Sequence, residues 1–209
     1  MQLCHCENSV EIYDYYDTKD EFVIVMELCD DTLHNVLANT ENGFSVAKIK
    51  EILLQLNNAF KIMHENKISH RDIKLNNILV KYLNNEHTDF KVLLSDYGIS
   101  NQLNELITSF NTHIGTRIYM APEILKGEKY NDKCDLWSLG VNIYKLKTKD
   151  FPYKGKVDNE ILKQIRENGQ KVLDNINDGT LRNLLSKLLV ENPETRISWE
   201  QYFEHEFFR

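Results

Sequence analysis

Residues 70–77 read H-R-D-I-K-L-N-N, and nineteen residues after Asn77 the chain reads D-Y-G, beginning at Asp96. The tripeptide A-P-E follows at residues 121–123. Alone, H-R-D would be compatible with a surface loop of mixed charges. Three motifs in this order and at these spacings are far more specific than any one of them, so they guide the interpretation of the whole chain.

The size and composition are those of one globular domain. The 209 residues suffice for one well-packed core, and 42% hydrophobic with 27% charged residues is ordinary for such a domain. The formal net charge of -7 gives no support for nucleic-acid binding. No stretch has the apolar length of a membrane span, and no signal-peptide pattern opens the chain. We expect a cytoplasmic protein, with the nucleus as the alternative.

The hydrophobic pattern predicts two strands followed by a mainly helical chain. Residues 10–16 and 22–26 are rich in β-formers and are separated by a polar turn. The clearest helix extends from Ser45 to Asn66, because its apolar residues recur at three- and four-residue steps. Ser45 is its expected N-cap. The remaining elements are two short strands at 78–82 and 90–95 and further helices at 132–147, 157–168, 180–191 and 198–205.

With these motifs the chain resembles the eukaryotic-type serine/threonine protein kinases. The resemblance implies an α+β, protein-kinase-like fold, in which a mainly helical C-lobe (residues 32–209) follows a remnant two-stranded part of the N-lobe (residues 1–31). It also implies transfer of the ATP γ-phosphoryl group to Ser or Thr of a protein substrate, with ATP and Mg²⁺ as cofactors.

The resemblance gives each residue of the catalytic loop a role. Asp72 would orient the acceptor hydroxyl and take its proton. Lys74 would place a positive charge on the transferring phosphate, and it marks the serine/threonine branch. Asn77 and Asp96 would supply oxygen ligands for Mg²⁺. Arg71 would pair with a phosphate on the activation segment.

Residues 96–123 correspond to the activation segment of this family. Tyr97 stands where the family usually has Phe, so an aromatic ring is kept and its hydroxyl needs a partner. The resemblance makes Thr112 the leading regulatory phosphosite, with Ser109 second, although Ser109 fits an ordinary polar loop better. Thr116 would help to position the substrate near the catalytic loop.

Two further sites have structural roles by the same resemblance. The sequence D-L-W-S-L-G, beginning at Asp135, matches the central helix of the C-lobe, and Asp135 would accept hydrogen bonds from backbone donors of the catalytic loop. Glu123 of A-P-E would form a buried ion pair with Arg196. Both would support the site without touching substrate.

The sequence M-E-L-C at residues 26–29 resembles the hinge between the two kinase lobes. Backbone groups of Glu27 and Cys29 would bond adenine, Met26 would be the gatekeeper, and Leu79 would lie under the ring. For the apolar residues the alternative is plain core packing, and the sequence does not separate the two.

The pattern is incomplete before the hinge. The first glycine of the chain is Gly43, so residues 1–42 contain no Gly-rich loop to cover phosphates. Lys19 lies in the predicted turn and not on a strand that reads V-A-I-K. Two strands alone are marginally stable and have bare edges, so we expect an N-lobe segment or a regulatory partner to cover them.

These gaps leave two functions open. The chain is either a serine/threonine kinase domain whose catalysis is impaired, or a non-catalytic kinase-like module that binds a partner. Retention of the catalytic-loop residues favours the first, and the missing phosphate loop favours the second. Met1 is compatible with a genuine start, a fragment or a misplaced gene boundary.

Overall fold

The structure is a computed structural model that describes residues 6–18, 21–96 and 117–209. Within these residues the chain forms α-helices α1 Leu33–Ala38, α2 Val46–Glu65, α3 Pro122–Leu125, α4 Lys133–Thr148, α5 Asp158–Asn168, α6 Gly179–Leu188 and α7 Trp199–Phe203. The strands are β1 Ile12–Asp17, β2 Phe22–Met26, β3 Asp31–Thr32, β4 Ile78–Tyr82 and β5 Phe90–Leu94. Short 3-10 helices occur at Leu75–Asn77, Arg117–Tyr119, Gly169–Asn175 and Glu206–Phe208.

Helix α4 forms the centre of the helical part. Buried residues line all of its faces, as expected for a helix that is surrounded by others. Gly140 permits a close contact with α6, because a Cβ at this position would lie 2.9 Å from the Leu188 Cβ. Helix α2 packs its apolar stripe into the same core, and the hydroxyl of Ser45, its expected N-cap, accepts the Lys48 N–H at 3.1 Å.

The strands form two small antiparallel sheets. Strands β1 and β2 make a hairpin, whereas β3, β4 and β5 form a three-stranded sheet in that order. Strand β3 was not predicted from the sequence, because two residues are too short to carry an alternating pattern. It exists because Asp31 and Thr32 pair with Val80 and Leu79 of β4.

The hairpin stands largely clear of the core. Tyr13, Tyr15 and Tyr16 of β1 are more than half exposed, and Val23 and Val25 of β2 are also exposed. These tyrosine side chains are therefore in contact with solvent. Aromatic residues in strands normally add stability by packing against neighbouring side chains. The residues before β1 and those after β2 connect the hairpin to the rest of the described chain.

Residues 8–10 explain why the first strand begins later than predicted. The Leu94 N–H donates to the Asn8 carbonyl at 2.9 Å, and the Val10 N–H donates to the Leu94 carbonyl at 3.0 Å. The buried Asn8 side chain also donates to the Val92 carbonyl at 2.8 Å. This segment pairs with β5, so the hairpin strand starts only at Ile12.

The C-terminal helices are shorter than predicted. Helix α6 ends at Leu188 and not at 191, in agreement with the turn before Pro193, since proline disfavours helical geometry at the residue before it. Helix α7 ends at Phe203, and the His205 side chain then accepts the Phe207 N–H of the following 3-10 turn. No helix in the described ranges is both long and apolar enough to cross a bilayer.

Candidate functional site

The loop of residues 70–77 is held in place by Asp135 of helix α4. Its two carboxylate oxygens accept the backbone N–H groups of His70 and Arg71, both at 2.7 Å. Asp135 is buried, so these bonds are shielded from water. They support a left-handed backbone at Arg71, where φ is 65°, a geometry that is unfavourable for a residue with a Cβ and is often found at functional sites.

His70 ties the loop to the end of strand β5. Its Nε2 lies 2.8 Å from the Ser95 carbonyl, and the Asp72 N–H donates to its Nδ1 at 3.3 Å. The two contacts use both ring nitrogens, so they fix the orientation of the ring. His70 is fully buried, and its side chain joins the segment that carries Asp72 to the segment that carries Asp96.

The loop brings Asp72, Lys74 and Asn77 together. Lys74 Nζ lies 2.5 Å from Asp72 Oδ2, and Asn77 Nδ2 lies 3.0 Å from the same oxygen. Asn77 Nδ2 also donates to the Asp72 carbonyl at 2.9 Å. Because both side-chain donors use Oδ2, Oδ1 accepts no hydrogen bond from the residues that the structure describes. The arrangement orients one carboxylate oxygen and leaves the other available to a hydroxyl.

Asn77 and Asp96 are joined through Ser95. The N–H and the hydroxyl of Ser95 donate to the Asn77 carbonyl at 2.9 and 3.0 Å. The next residue, Asp96, is exposed and has a φ of 64°. Since the Asn77 amide nitrogen faces Asp72, its Oδ1 has no hydrogen-bond partner in the described part of the chain. An amide oxygen and a carboxylate fit the preference of Mg²⁺ for hard oxygen ligands.

Two backbone groups in residues 26–29 have no hydrogen-bond partner among the described residues. The Glu27 N–H donates to the Glu11 carbonyl at 2.9 Å, but the Glu27 carbonyl and the Cys29 N–H bond to nothing within the described ranges. Met26 and Leu79 are both partly buried beside them. One free acceptor and one free donor match the hydrogen-bonding edge of adenine.

Glu27 also forms an ion pair that sequence analysis did not anticipate. Its carboxylate accepts the Lys81 ammonium of β4 and, at 2.8 Å, the Glu11 N–H. Burial opposes ionisation, but the hydrogen bonds from Lys81 and Glu11 outweigh it and hold the pKa of Glu27 below its ordinary value. The ion pair fixes the start of the hinge to β4. Sequence offered no signal for it because the partners are far apart along the chain.

Tyr97 and the expected regulatory positions Ser109, Thr112 and Thr116 lie outside the described residues. Arg71 is described, and its guanidinium carbon lies 5.5 Å from the centre of the Tyr130 ring. Its Nε is buried and has no hydrogen-bond partner among the described residues. This donor is therefore available for an additional acceptor.

Two buried polar residues of α4 also support the site. Ser138 Oγ donates to the Tyr119 carbonyl at 2.9 Å, and Asn142 Nδ2 donates to the Ile73 carbonyl at 3.0 Å. Asn142 escaped the sequence analysis, although an amide within the apolar run 141–144 was an available signal. Glu123 and Arg196, which the resemblance pairs, form a buried ion pair in the structure.

Comparison with known proteins identifies the family of the chain. A family model described as protein kinase domain matches residues 1–208. The chain is 33% identical to calcium-dependent protein kinase 5 of Plasmodium falciparum and 34% identical to serine/threonine-protein kinase ppk11 of Schizosaccharomyces pombe, over 97% of its length in each case. It is 29% identical to serine/threonine-protein kinase cds1 of the same yeast over its whole length. It covers 35%, 64% and 46% of these proteins, respectively.

Proposed function

Because the chain belongs to the protein kinase family, we propose that it is a serine/threonine kinase domain that transfers the ATP γ-phosphoryl group to a protein hydroxyl. The observation that carries this proposal is the orientation of Asp72 by Lys74 and Asn77. The proposal divides the chain into two parts. Residues 1–31 are part of the N-lobe together with the hinge, and residues 32–209 are the C-lobe.

ATP would be held at the hinge and Mg²⁺ at the end of β5. The free Glu27 carbonyl and Cys29 N–H would bond adenine, with Met26 and Leu79 against the ring. Asn77 Oδ1 and the Asp96 carboxylate would coordinate Mg²⁺, whose positive charge supports phosphoryl transfer by neutralising phosphate oxygens.

In the proposed reaction the chain positions groups and moves one proton. Asp72 Oδ1 accepts a hydrogen bond from the substrate hydroxyl and takes its proton as the oxygen attacks. The Lys74 ammonium sits on the other carboxylate oxygen and contributes positive charge where phosphate charge develops. Asn77 and Asp135 keep the loop in the geometry that this transfer requires.

We further propose a regulatory role for Arg71 and two threonines. A phosphate on Thr112 would offer acceptors to the unpaired Arg71 Nε, and such contacts typically add ~1–3 charge-assisted hydrogen bonds. Thr116 would assist substrate positioning. The proposal predicts that a phosphate on Thr112 raises activity through its contact with Arg71.

Catalysis by residues 1–209 alone would be impaired. These residues contain no glycine before Gly43 and thus no Gly-rich loop. The exposed Tyr13 and Tyr15 of the hairpin support a covering N-lobe segment or regulatory partner. The same gap supports a second candidate function, a non-catalytic module that binds a partner through this hairpin.

The deciding experiment compares the full-length protein with its Asp72→Asn variant. Phosphorylation of serine and threonine peptides would be measured with Mg²⁺ and ATP, and nucleotide binding would be measured separately. We expect transfer to disappear while nucleotide binding persists, since Asp72 acts on the acceptor hydroxyl. The exposed Asp174→Asn variant is the matched control and should retain full activity. Absence of any transfer by the unmodified protein would favour the non-catalytic alternative.

A further inference from the structure

Lys145 of helix α4 occupies an unusual position for a lysine. It is partly buried between two aromatic rings, with its Nζ 4.1 Å from the centre of the Phe151 ring and 5.9 Å from that of the Tyr119 ring. The two rings pack edge to face at 5.3 Å. The two rings lie beside the Lys145 ammonium group, and the electrons of each ring attract its positive charge.

No carboxylate neutralises Lys145 within the described part of the chain. The acidic residue whose charge acts on it is Asp150, but the Asp150 Oδ2 lies 2.5 Å from Lys154 Nζ, and its Oδ1 accepts the Phe151 N–H at 2.8 Å. Burial lowers the pKa of Lys145, and the Asp150 charge only partly opposes this effect. A partly desolvated cation in this state is stabilised by any anion that reaches it.

His34 of helix α1 lies within range of the Lys145 charge. Burial, and then the positive charge of Lys145, lower the pKa of His34. Its Nδ1 is buried and has no hydrogen-bond partner among the described residues. The described residues near Lys145 therefore include one nitrogen without a partner, His34 Nδ1, and no carboxylate that is free to pair with the lysine.

Tyr119 connects Lys145 to the proposed catalytic carboxylate. Its hydroxyl lies 3.5 Å from Lys145 Nζ. Tyr119 and Asp72 line the same small cavity, and burial together with the Asp72 charge raises the pKa of Tyr119. One side chain, that of Tyr119, thus both contacts Lys145 and lines a cavity together with Asp72, which links the lysine to the proposed acceptor site.

We propose that Lys145 selects protein substrates that carry an anionic side chain close to the acceptor hydroxyl. This inference rests on the proposed function, since it needs a protein acceptor at Asp72. The anion is a carboxylate or a phosphate, because both accept charge-assisted hydrogen bonds from an ammonium group. Tyr119 and Phe151 hold the lysine stem and restrict the motion of its charge.

Peptide binding to the full-length protein tests this selection without requiring catalysis. Fluorescence anisotropy would compare labelled peptides with one serine flanked by Ala, Asp, phosphoserine or Lys. We expect the Asp or phosphoserine peptide to bind about tenfold more tightly than the Ala peptide, as for one hydrogen bond between charged groups. Tighter binding of the Asp peptide would identify the natural anion as a carboxylate, and tighter binding of the phosphoserine peptide would identify it as a phosphate.

Three variants assign the effect to Lys145. Lys145→Met keeps the apolar stem against Phe151 and should abolish the preference, whereas Lys145→Glu should reverse it in favour of the Lys peptide. Lys147→Glu makes the same charge change on another face of α4 and should leave the preference intact. Thermal unfolding would check each fold, and Lys145→Met decides the outcome if Lys145→Glu does not fold.

Failure of this inference differs from failure of the proposed function. Equal binding of all peptides by the unmodified protein, or a preference that survives Lys145→Met, would overturn the role of Lys145. Phosphorylation of these peptides without any charge preference would leave the kinase function intact and remove only the selection. A charge preference controlled by Lys145 without phosphoryl transfer would contradict only the proposed catalysis.

Discussion

Arg196 and Glu123 form a two-bond ion pair in the core, although they are 73 residues apart in the chain. Arg196 Nη1 and Nη2 lie 2.7 and 2.9 Å from the two Glu123 oxygens, and the side chains are 0% and 1% exposed. Arg196 also donates to the Val190 and Lys133 carbonyls at 3.0 and 2.8 Å. The pair links the A-P-E segment to the C-terminal helices.

Removal of one partner should therefore destabilise the fold strongly. We expect Arg196→Leu to lower the free energy of unfolding by ~3–5 kcal/mol, because the buried Glu123 charge loses its partner. Urea denaturation measures this change. Lys126→Leu, which breaks the more exposed ion pair with Glu191, should cost ~0–1 kcal/mol. An Arg196→Leu midpoint equal to that of the unmodified chain would contradict the structural role.

Asp135 should matter for both stability and turnover. Asp135→Asn retains one acceptor oxygen, so the N–H of His70 or Arg71 loses its partner in a buried site, at a cost of ~1–3 kcal/mol. In the full-length protein we expect kcat to fall while ATP binding changes little, since the loop and not the hinge is affected. Asp132→Asn, at a position whose side chain caps no helix N–H, is the control. A fall in ATP affinity alone would argue against this assignment.

The hinge ion pair predicts a defined pH dependence. The pKa of Glu27 is lower in the folded chain than its ordinary value of 4.5, so its stabilising effect is complete above that value and is lost as the pH falls through the folded pKa. Glu27→Gln should lower the melting temperature at pH 7 and have a smaller effect at pH 3. Glu41→Gln, at an exposed position without an ion pair in the described ranges, should show no such difference.

The bare polypeptide should be a poor enzyme. We expect residues 1–209, purified alone, to bind ATP weakly with Mg²⁺ and to phosphorylate no protein measurably. Loss of one preorganised transition-state donor costs ~10²–10³ in rate, and a missing Gly-rich loop removes several donors. Radiolabel transfer to a generic Ser/Thr substrate is the measurement. Robust transfer that is lost in Asp72→Asn would show that these residues suffice.

Local patterns predicted many of the elements, because strand and helix periodicity is carried by neighbouring residues. Strands β2 and β4 have the bounds that the sequence predicted, and α2 follows Ser45 as expected. Pairings between distant segments were not predictable. Asn8 reaches the Val92 carbonyl across 84 residues, and no spacing rule encodes such a contact.

The same distinction applies to the site. Sequence spacing identified the family and nominated Asp72, Lys74, Asn77 and Asp96, since the motifs place oxygen and ammonium groups in short segments. It did not reveal that Asp72 Oδ1 accepts no hydrogen bond from the described residues, because this depends on the rotamers of its neighbours.

The sequence by itself determined the family, most of the longer elements and the residues that carry the proposed chemistry, since all of these depend on local patterns. Only the tertiary structure decided which polar groups are paired and which are left without partners. Lys145 illustrates the difference: in the sequence it is one lysine among many. In the fold it is held between Tyr119 and Phe151, near Asp72, with no described carboxylate bound to it. Burial and the three-dimensional arrangement of distant charges make it a candidate for substrate selection.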